Sequence, residues 1–136
     1  MNVENAVTPE PPQAQEFLGT EGPVCMVNLL RFKEHAIYTD GRETTLSGRE
    51  AYGLYAREMR KLVEASGGRF IFGAEVVGLL LGAVEDLWDT VGIVEYPSAR
   101  ALVEISMSEP FRAIEIHREA GLAGQLNLTT REHPFA

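Results

Sequence analysis

Val24-Cys25-Met26-Val27-Asn28-Leu29-Leu30-Arg31-Phe32 is an apolar run broken only by Asn28 and Arg31, and it is entered through the punctuating pair Gly22-Pro23. Its length and its content of β-branched and large apolar residues predict a strand buried on both faces. A strand of that kind needs a layer on each side, so the remaining sequence must supply one layer and account for the other.

Downstream, Lys33 to Thr45 is polar and holds the turn pair Asp40-Gly41, a candidate lid. Ser47-Gly48-Arg49-Glu50 has capping-box spacing and predicts a helix start. Tyr52, Tyr55, Met59, Leu62 and Val63 then recur at helical spacing, Arg57, Glu58, Arg60, Lys61 and Glu64 take the wet face, and Gly67-Gly68 ends the helix. Arg69 to Glu75 alternates as a second strand, with Val76 to Leu81 expected to extend or bend it at Gly78. Trp88 to Tyr96, rich in aromatic and β-branched residues, reads as a third strand running into a helix capped by Ser98. Ser108-Glu109-Pro110 interrupts and restarts that helix, whose stripe of Phe111, Ile114 and Arg118 runs to Gly121. Gln125 to Thr130 closes the order as a fourth strand. Upstream, residues 1–21 hold Pro9, Pro11 and Pro12 among polar residues and read as a flexible N-terminal arm with a short helical turn near Gln13 to Leu18. Residues 22–136 form the single folded domain.

Strand, helix, strand, strand, helix, strand is the split βαβ plan, an α+β ferredoxin-like fold whose antiparallel sheet carries both helices on one face. The other face is then bare. Some of Met26, Phe72, Ile93 and Leu128 are expected among its apolar residues, and the simplest cover is a second sheet: an isologous homodimer closing into a dimeric α/β barrel.

Asn28-Leu29-Leu30-Arg31-Phe32, Ser47-Gly48 with Glu50-Ala51-Tyr52, Gly67-Gly68, Trp88-Asp89, Tyr96-Pro97-Ser98 and Arg118-Glu119-Ala120-Gly121-Leu122 together resemble the domain-of-unknown-function family numbered 1330. The likeness runs from about Pro23 to Thr130 through dispersed short motifs in order. It implies the dimeric α/β-barrel superfamily, whose other branches include cofactor-free quinol monooxygenases, muconolactone isomerases and haem enzymes such as chlorite dismutases. The family brings no settled activity and no catalytic residues to carry over.

Twenty acidic against twelve basic residues give a net charge of −8, which opposes binding to nucleic acid or anionic lipid. Met1 to Glu16 shows no secretory pattern, and the longest apolar run, around Val76 to Val84, is short of the about 20 residues that span a bilayer, so a membrane is not an expected partner. The single Cys25 admits no intramolecular disulfide and reads as a small hydrophobe in a reducing cytoplasm. His35, His117 and His133 are far apart and no metal-ligand or phosphate-loop spacing occurs, so no metal and no cofactor is expected. The haem branches bring a proximal histidine and a longer, duplicated chain, which this single short repeat is not.

Asn28 is the most informative residue, because a buried amide without partners costs a few kcal/mol. It either orients a ligand in the barrel or braces the sheet. Arg31, three residues on, falls on the opposite face of a regular strand. Tyr52 and Tyr55 share the helix stripe as core aromatics or, if a phenol meets the cavity, as donors to a developing oxyanion. Trp88 is an anchor or an apolar wall for a ligand. Arg118 is an anion clamp or half of a pair with Asp89 or Glu95, and its place at a helix end is favoured by the dipole. His117 is a general base or a solvent-facing histidine. Two functions follow. One is a cofactor-independent oxygenase or isomerase acting on a small apolar or aromatic molecule, with His117 and Tyr55 catalytic and Asn28, Tyr52, Trp88 and Arg118 binding; the other is a non-catalytic ligand-binding or assembly module.

Overall fold

In the computed structural model, which describes every residue except Met1, Pro134 and Ala136, the order is α1 (Pro11–Leu18), β1 (Val24–Phe32), α2 (Gly48–Ala65), β2 (Arg69–Glu75), β3 (Thr90–Tyr96), α3 (Ala99–Ser106), α4 (Glu109–Gly121) and β4 (Leu122–Thr130). The four strands form one antiparallel sheet in the order β2-β3-β1-β4. The helix signals act as read. Ser47 Oγ accepts from the Glu50 amide at 3.0 Å while Glu50 Oε1 accepts from the Ser47 amide at 2.9 Å. Ser98 and Ser108 cap α3 and α4. Past the end of α2, Gly67 takes φ +89°, which a side chain would strain.

Ala51, Tyr55, Met59 and Val63 form the buried stripe of α2. Tyr55, Met59 and Val63 meet Val24 and Met26 of β1, Val94 and Tyr96 of β3, Ile105 of α3 and Phe111 of α4 in one core, with Phe17 of α1 packed against it. Helices α2 and α4 cross at glycine: a Cβ on Gly48 would collide with the backbone of Lys33 and Gly121, and one on Gly121 with the backbone of Gly48 and Tyr52. The segment ahead of α1 returns to the sheet, where Ala6 bridges Gln125.

Burial along β1 falls on one side of the sheet: Val24, Met26 and Leu30 are buried while Val27 and Leu29 are partly exposed, as a single chain with one bare sheet face requires. Of the four residues from which the bare face was expected to draw, Met26 is instead 4% exposed beneath the helices. The period of two makes the reason simple, since a one-residue slip in reading a uniformly apolar strand exchanges its faces. Val27 stands where Met26 was expected. The pairing sets Leu128, Val27, Ile93 and Phe72 side by side across all four strands, with Leu126, Leu29, Val91 and Ala74 in the next row. Val76 to Leu81 does not extend β2, which ends at Glu75 after a bulge between Phe70 and Phe72. Instead 76–89 is a loop closed at its base by the Val76 amide on the Asp89 carbonyl at 2.8 Å, carrying Val77, Leu80 and Leu81 almost wholly exposed.

Candidate functional site

Three polar residues of three different elements are joined between the sheet and α4. Arg118, in the last turn of α4, donates from Nη2 to Gln125 Oε1 at 2.6 Å. Gln125 Nε2 donates to Asn28 Oδ1 at 2.7 Å, and Asn28 Nδ2 donates to the carbonyls of Gly92 at 3.2 Å and Met26 at 3.3 Å. Asn28 interrupts the buried series Val24, Met26, Leu30 on the helix-covered face, so its amide must find partners; the relay supplies them. Gln125 is the one buried polar side chain among the described residues. No sequence signal marked it, because a glutamine in a short strand looks like a surface residue until its partner strand is known.

Tyr52 and Tyr55 flank this relay on α2, their rings 5.3 Å apart, in a row that continues to Phe32 on one side (5.4 Å) and Phe111 on the other (6.0 Å). Burial pushes the Tyr52 phenol up to about 12, with the Arg118 charge pulling the other way. Burial pushes Tyr55 further up, helped by Tyr52 and opposed by Arg118, and it also raises Tyr96. Both phenols are therefore protonated donors at neutral pH. Neither hydroxyl makes a hydrogen bond to a described residue, yet no sealed side-chain oxygen or nitrogen among those residues lacks a partner.

Of the residues singled out by sequence, the structure brings together Asn28, Tyr52, Tyr55 and Arg118. Arg118 pairs with Gln125 rather than with Asp89 or Glu95: the Asp89 carboxylate accepts the Phe32 amide at 2.8 Å and Glu95 pairs with Arg69 at 3.0 Å. His117 is drawn elsewhere, its Nδ1 2.7 Å from the Tyr38 hydroxyl, with the Tyr38 ring edge-on to the imidazole and Arg42 over its face. That contact, with the Ile37 amide on the Ala120 carbonyl at 3.0 Å, pins the 33–47 connection to the end of α4 beside a surface hollow of ≈ 950 Å³ lined in part by Ala36, Tyr38, Arg42 and Leu46. Trp88 donates from Nε1 to Asn5 Oδ1 at 2.8 Å, and Asn5 packs on Gly124, whose register partner Arg31 belongs to the bare face. Arg31 itself pairs with Asp86 at 3.2 Å. Burial, then the Glu95 charge, pushes the Cys25 thiol up, away from the thiolate a nucleophile needs. No cluster of three or more metal-ligating side chains occurs among the described residues.

A four-stranded antiparallel sheet with helices packed on one face and a polar relay beneath them defines a ferredoxin-like α+β protein. The solved ferredoxin-like structure of a dabb family protein, mll5499 from Mesorhizobium loti, is similar over 84% of this chain and 100% of that one, at 8% identity and TM-score 0.52, a likeness of fold alone. Far nearer is the RPA0582 protein of Rhodopseudomonas palustris, a protein of unknown function. Its methylated form is 32% identical over 96% of this chain and 97% of that chain, with TM-score 0.86. A second structure of it gives 28% identity, 96% and 99% coverage and TM-score 0.85. The chain belongs to the family of RPA0582. No protein-family model and no curated protein matches it.

Proposed function

We propose that this chain is a homodimeric α/β-barrel module of the domain-of-unknown-function family 1330 type, working in the cytoplasm, that binds a small molecule beside the Arg118–Gln125–Asn28 relay and does not transform it. The carrying observation is the relay itself, flanked by two phenols that make no hydrogen bond to a described residue. Ligand sites are built this way, from an apolar wall and a few convergent polar groups. Against catalysis stands proton chemistry: the phenols are held protonated by burial, and His117 is turned to Tyr38 through Nδ1, away from the relay. A cofactor-independent oxygenase or isomerase is the second reading, favoured by the same pair of donors, which suits a developing oxyanion.

The dimer rests on the bare face. Ile71, Phe72, Val77, Leu79, Leu80, Leu81, Leu87 and Leu128 are all exposed large hydrophobics of the sheet or the 76–89 loop. At their fractional exposures they present on the order of 1,000 Å² per protomer, above the about 800 Å² per partner of a standard interface. Light scattering should give twice the 15.0 kDa chain mass. Leu80→Asp with Leu81→Asp should give the single mass without loss of helix signal; a wild-type monomer at micromolar concentration refutes the barrel. A ligand-observed NMR fragment screen tests binding: hits on wild type that vanish in Gln125→Ala support the site, and no hit removes it.

A further inference from the structure

We propose that residues 76–84 form an exchange arm: in the homodimer the arm of each protomer adds as a fifth strand to the free edge of β4 in the second copy, in place of extending its own β2. The proposal rests on the homodimer reading above and names the contact by which the two copies hold each other.

The arm has the chemistry of a strand without the partner that a strand needs. Val76-Val77-Gly78-Leu79-Leu80-Leu81-Gly82-Ala83-Val84 carries no charge and no proline. Val77, Leu79 and Leu81 alternate with Gly78, Leu80 and Gly82, a period of two that sets three large apolar side chains on one face and two glycines on the other. Among the described residues no backbone amide or carbonyl of 77–84 is hydrogen-bonded within the chain. Pairing with a strand edge would give those groups partners and take the leucines out of water in one step. The base of the loop is fixed, by the Val76 amide on the Asp89 carbonyl and by Asp86 on Arg31 of the bare face, so the leucines are presented on the side where a second sheet would lie.

Of the two sheet edges, β2 is blunted and β4 is not. β2 begins at Arg69, ends at Glu75 and bulges between Phe70 and Phe72, features that discourage further pairing. β4 runs Leu126-Asn127-Leu128-Thr129-Thr130 without a charge, a proline or a bulge. The N-terminal segment meets this edge at Gln125, whose carbonyl accepts the Ala6 amide at 3.1 Å. Outward-pointing backbone recurs at every second residue, so Asn127 and Thr129 present the next amides and carbonyls, and no described residue outside the sheet bonds them. Leu126 and Leu128 end the two apolar rows of the bare face, and a strand bearing Val77, Leu79 and Leu81 beside them continues those rows. Extended, Val76 to Leu81 spans about 20 Å, against the about 10 Å between stacked sheets. The chain's own β4 lies across β3 and β1 from the arm, and no backbone hydrogen bond joins the two. Reciprocal exchange about a two-fold axis satisfies both arms and both edges at once.

The test is hydrogen exchange read by mass spectrometry on the full chain, with light scattering on the same samples. In the dimer the amides of 77–81 should exchange about a hundredfold or more slowly than in protein diluted to monomer, because they are free in one chain and bonded in two. Thr129→Pro removes an outward amide and no hydrogen bond to β1, so it should erase that protection and weaken dimerisation about tenfold or more, with unfolding curves showing the variant folded. Asn127→Pro, two residues along the same edge, should do the same. If the wild type is a dimer whose arm amides exchange as fast as in the monomer, arm exchange is overturned while the homodimer stands. If the arm stays protected in folded Thr129→Pro and Asn127→Pro, the β4 edge is overturned as its seat. If the wild type is a monomer, the proposal and the homodimer reading fall together.

Discussion

The two faces of β1 have nearly the same composition and opposite fates. Val24, Met26 and Leu30 are at most 4% exposed beneath α2 and α4, whereas Val27 and Leu29, their neighbours in the chain, stay partly exposed in rows that run across all four strands. The covered face is closed by residues of the same chain, and close packing there tolerates no added atom at the helix crossing. The bare face repeats the same apolar chemistry without a lid, and the 76–89 loop adds leucines beside it that a lone chain has no reason to expose.

That contrast can be broken most severely at the crossing. Gly121→Val places side-chain atoms against the backbone of Gly48 and Tyr52, where no rotamer relieves the overlap. A loss of about 3 kcal/mol or more, or failure to fold, is expected in denaturant unfolding. A loss below about 1 kcal/mol would show that the helices part easily. Paired truncations sharpen the comparison: Met26→Ala should cost about 2–4 kcal/mol, while Leu128→Ala, 45% exposed in the single chain, should cost under about 1 kcal/mol in protein diluted to monomer. Equal costs at that dilution would mean that the bare face is already covered within one chain.

The smallest effect lies in the alkaline range. Tyr52 ionises near 10 when unfolded and at about 12 when folded, so the folded state holds its proton more tightly. Stability from that preference is complete below pH 10 and is lost as pH rises from 10 through about 12. Absorbance titration of the phenolates should show Tyr52→Phe removing one late-titrating group, with a shallower fall of melting temperature above pH 10. A variant titrating like wild type would mean that Tyr52 is solvated.

Much of this was legible because it is local. Caps at Ser47, Ser98 and Ser108, the stripe Tyr55-Met59-Val63 and the stop at Gly67 each depend on residues within one or two turns, where spacing alone carries the physics. The site was legible in part. Asn28, Tyr52, Tyr55 and Arg118 stood out as polar or amphipathic groups in apolar patterns. Gln125 did not, because its partners lie 97 residues away on β1 and seven away on α4. His117 and Trp88 were read beside the site, and contacts at separations of 79 and 83 residues, to Tyr38 and Asn5, hold them elsewhere.

By itself the sequence determined the order of elements, the helix boundaries and the apolar demand of the strands, since caps, turns and periodicity are properties of short windows. Only the tertiary structure decided which face of β1 lies under the helices, and hence that Met26 is core and Val27 is not. It also decided that Val76 to Leu81 leaves the sheet and that Arg118 meets an amide instead of a carboxylate. Strand register and long-range pairing settle those questions, and a shift of one residue in an evenly apolar run changes every answer while leaving the local pattern unchanged.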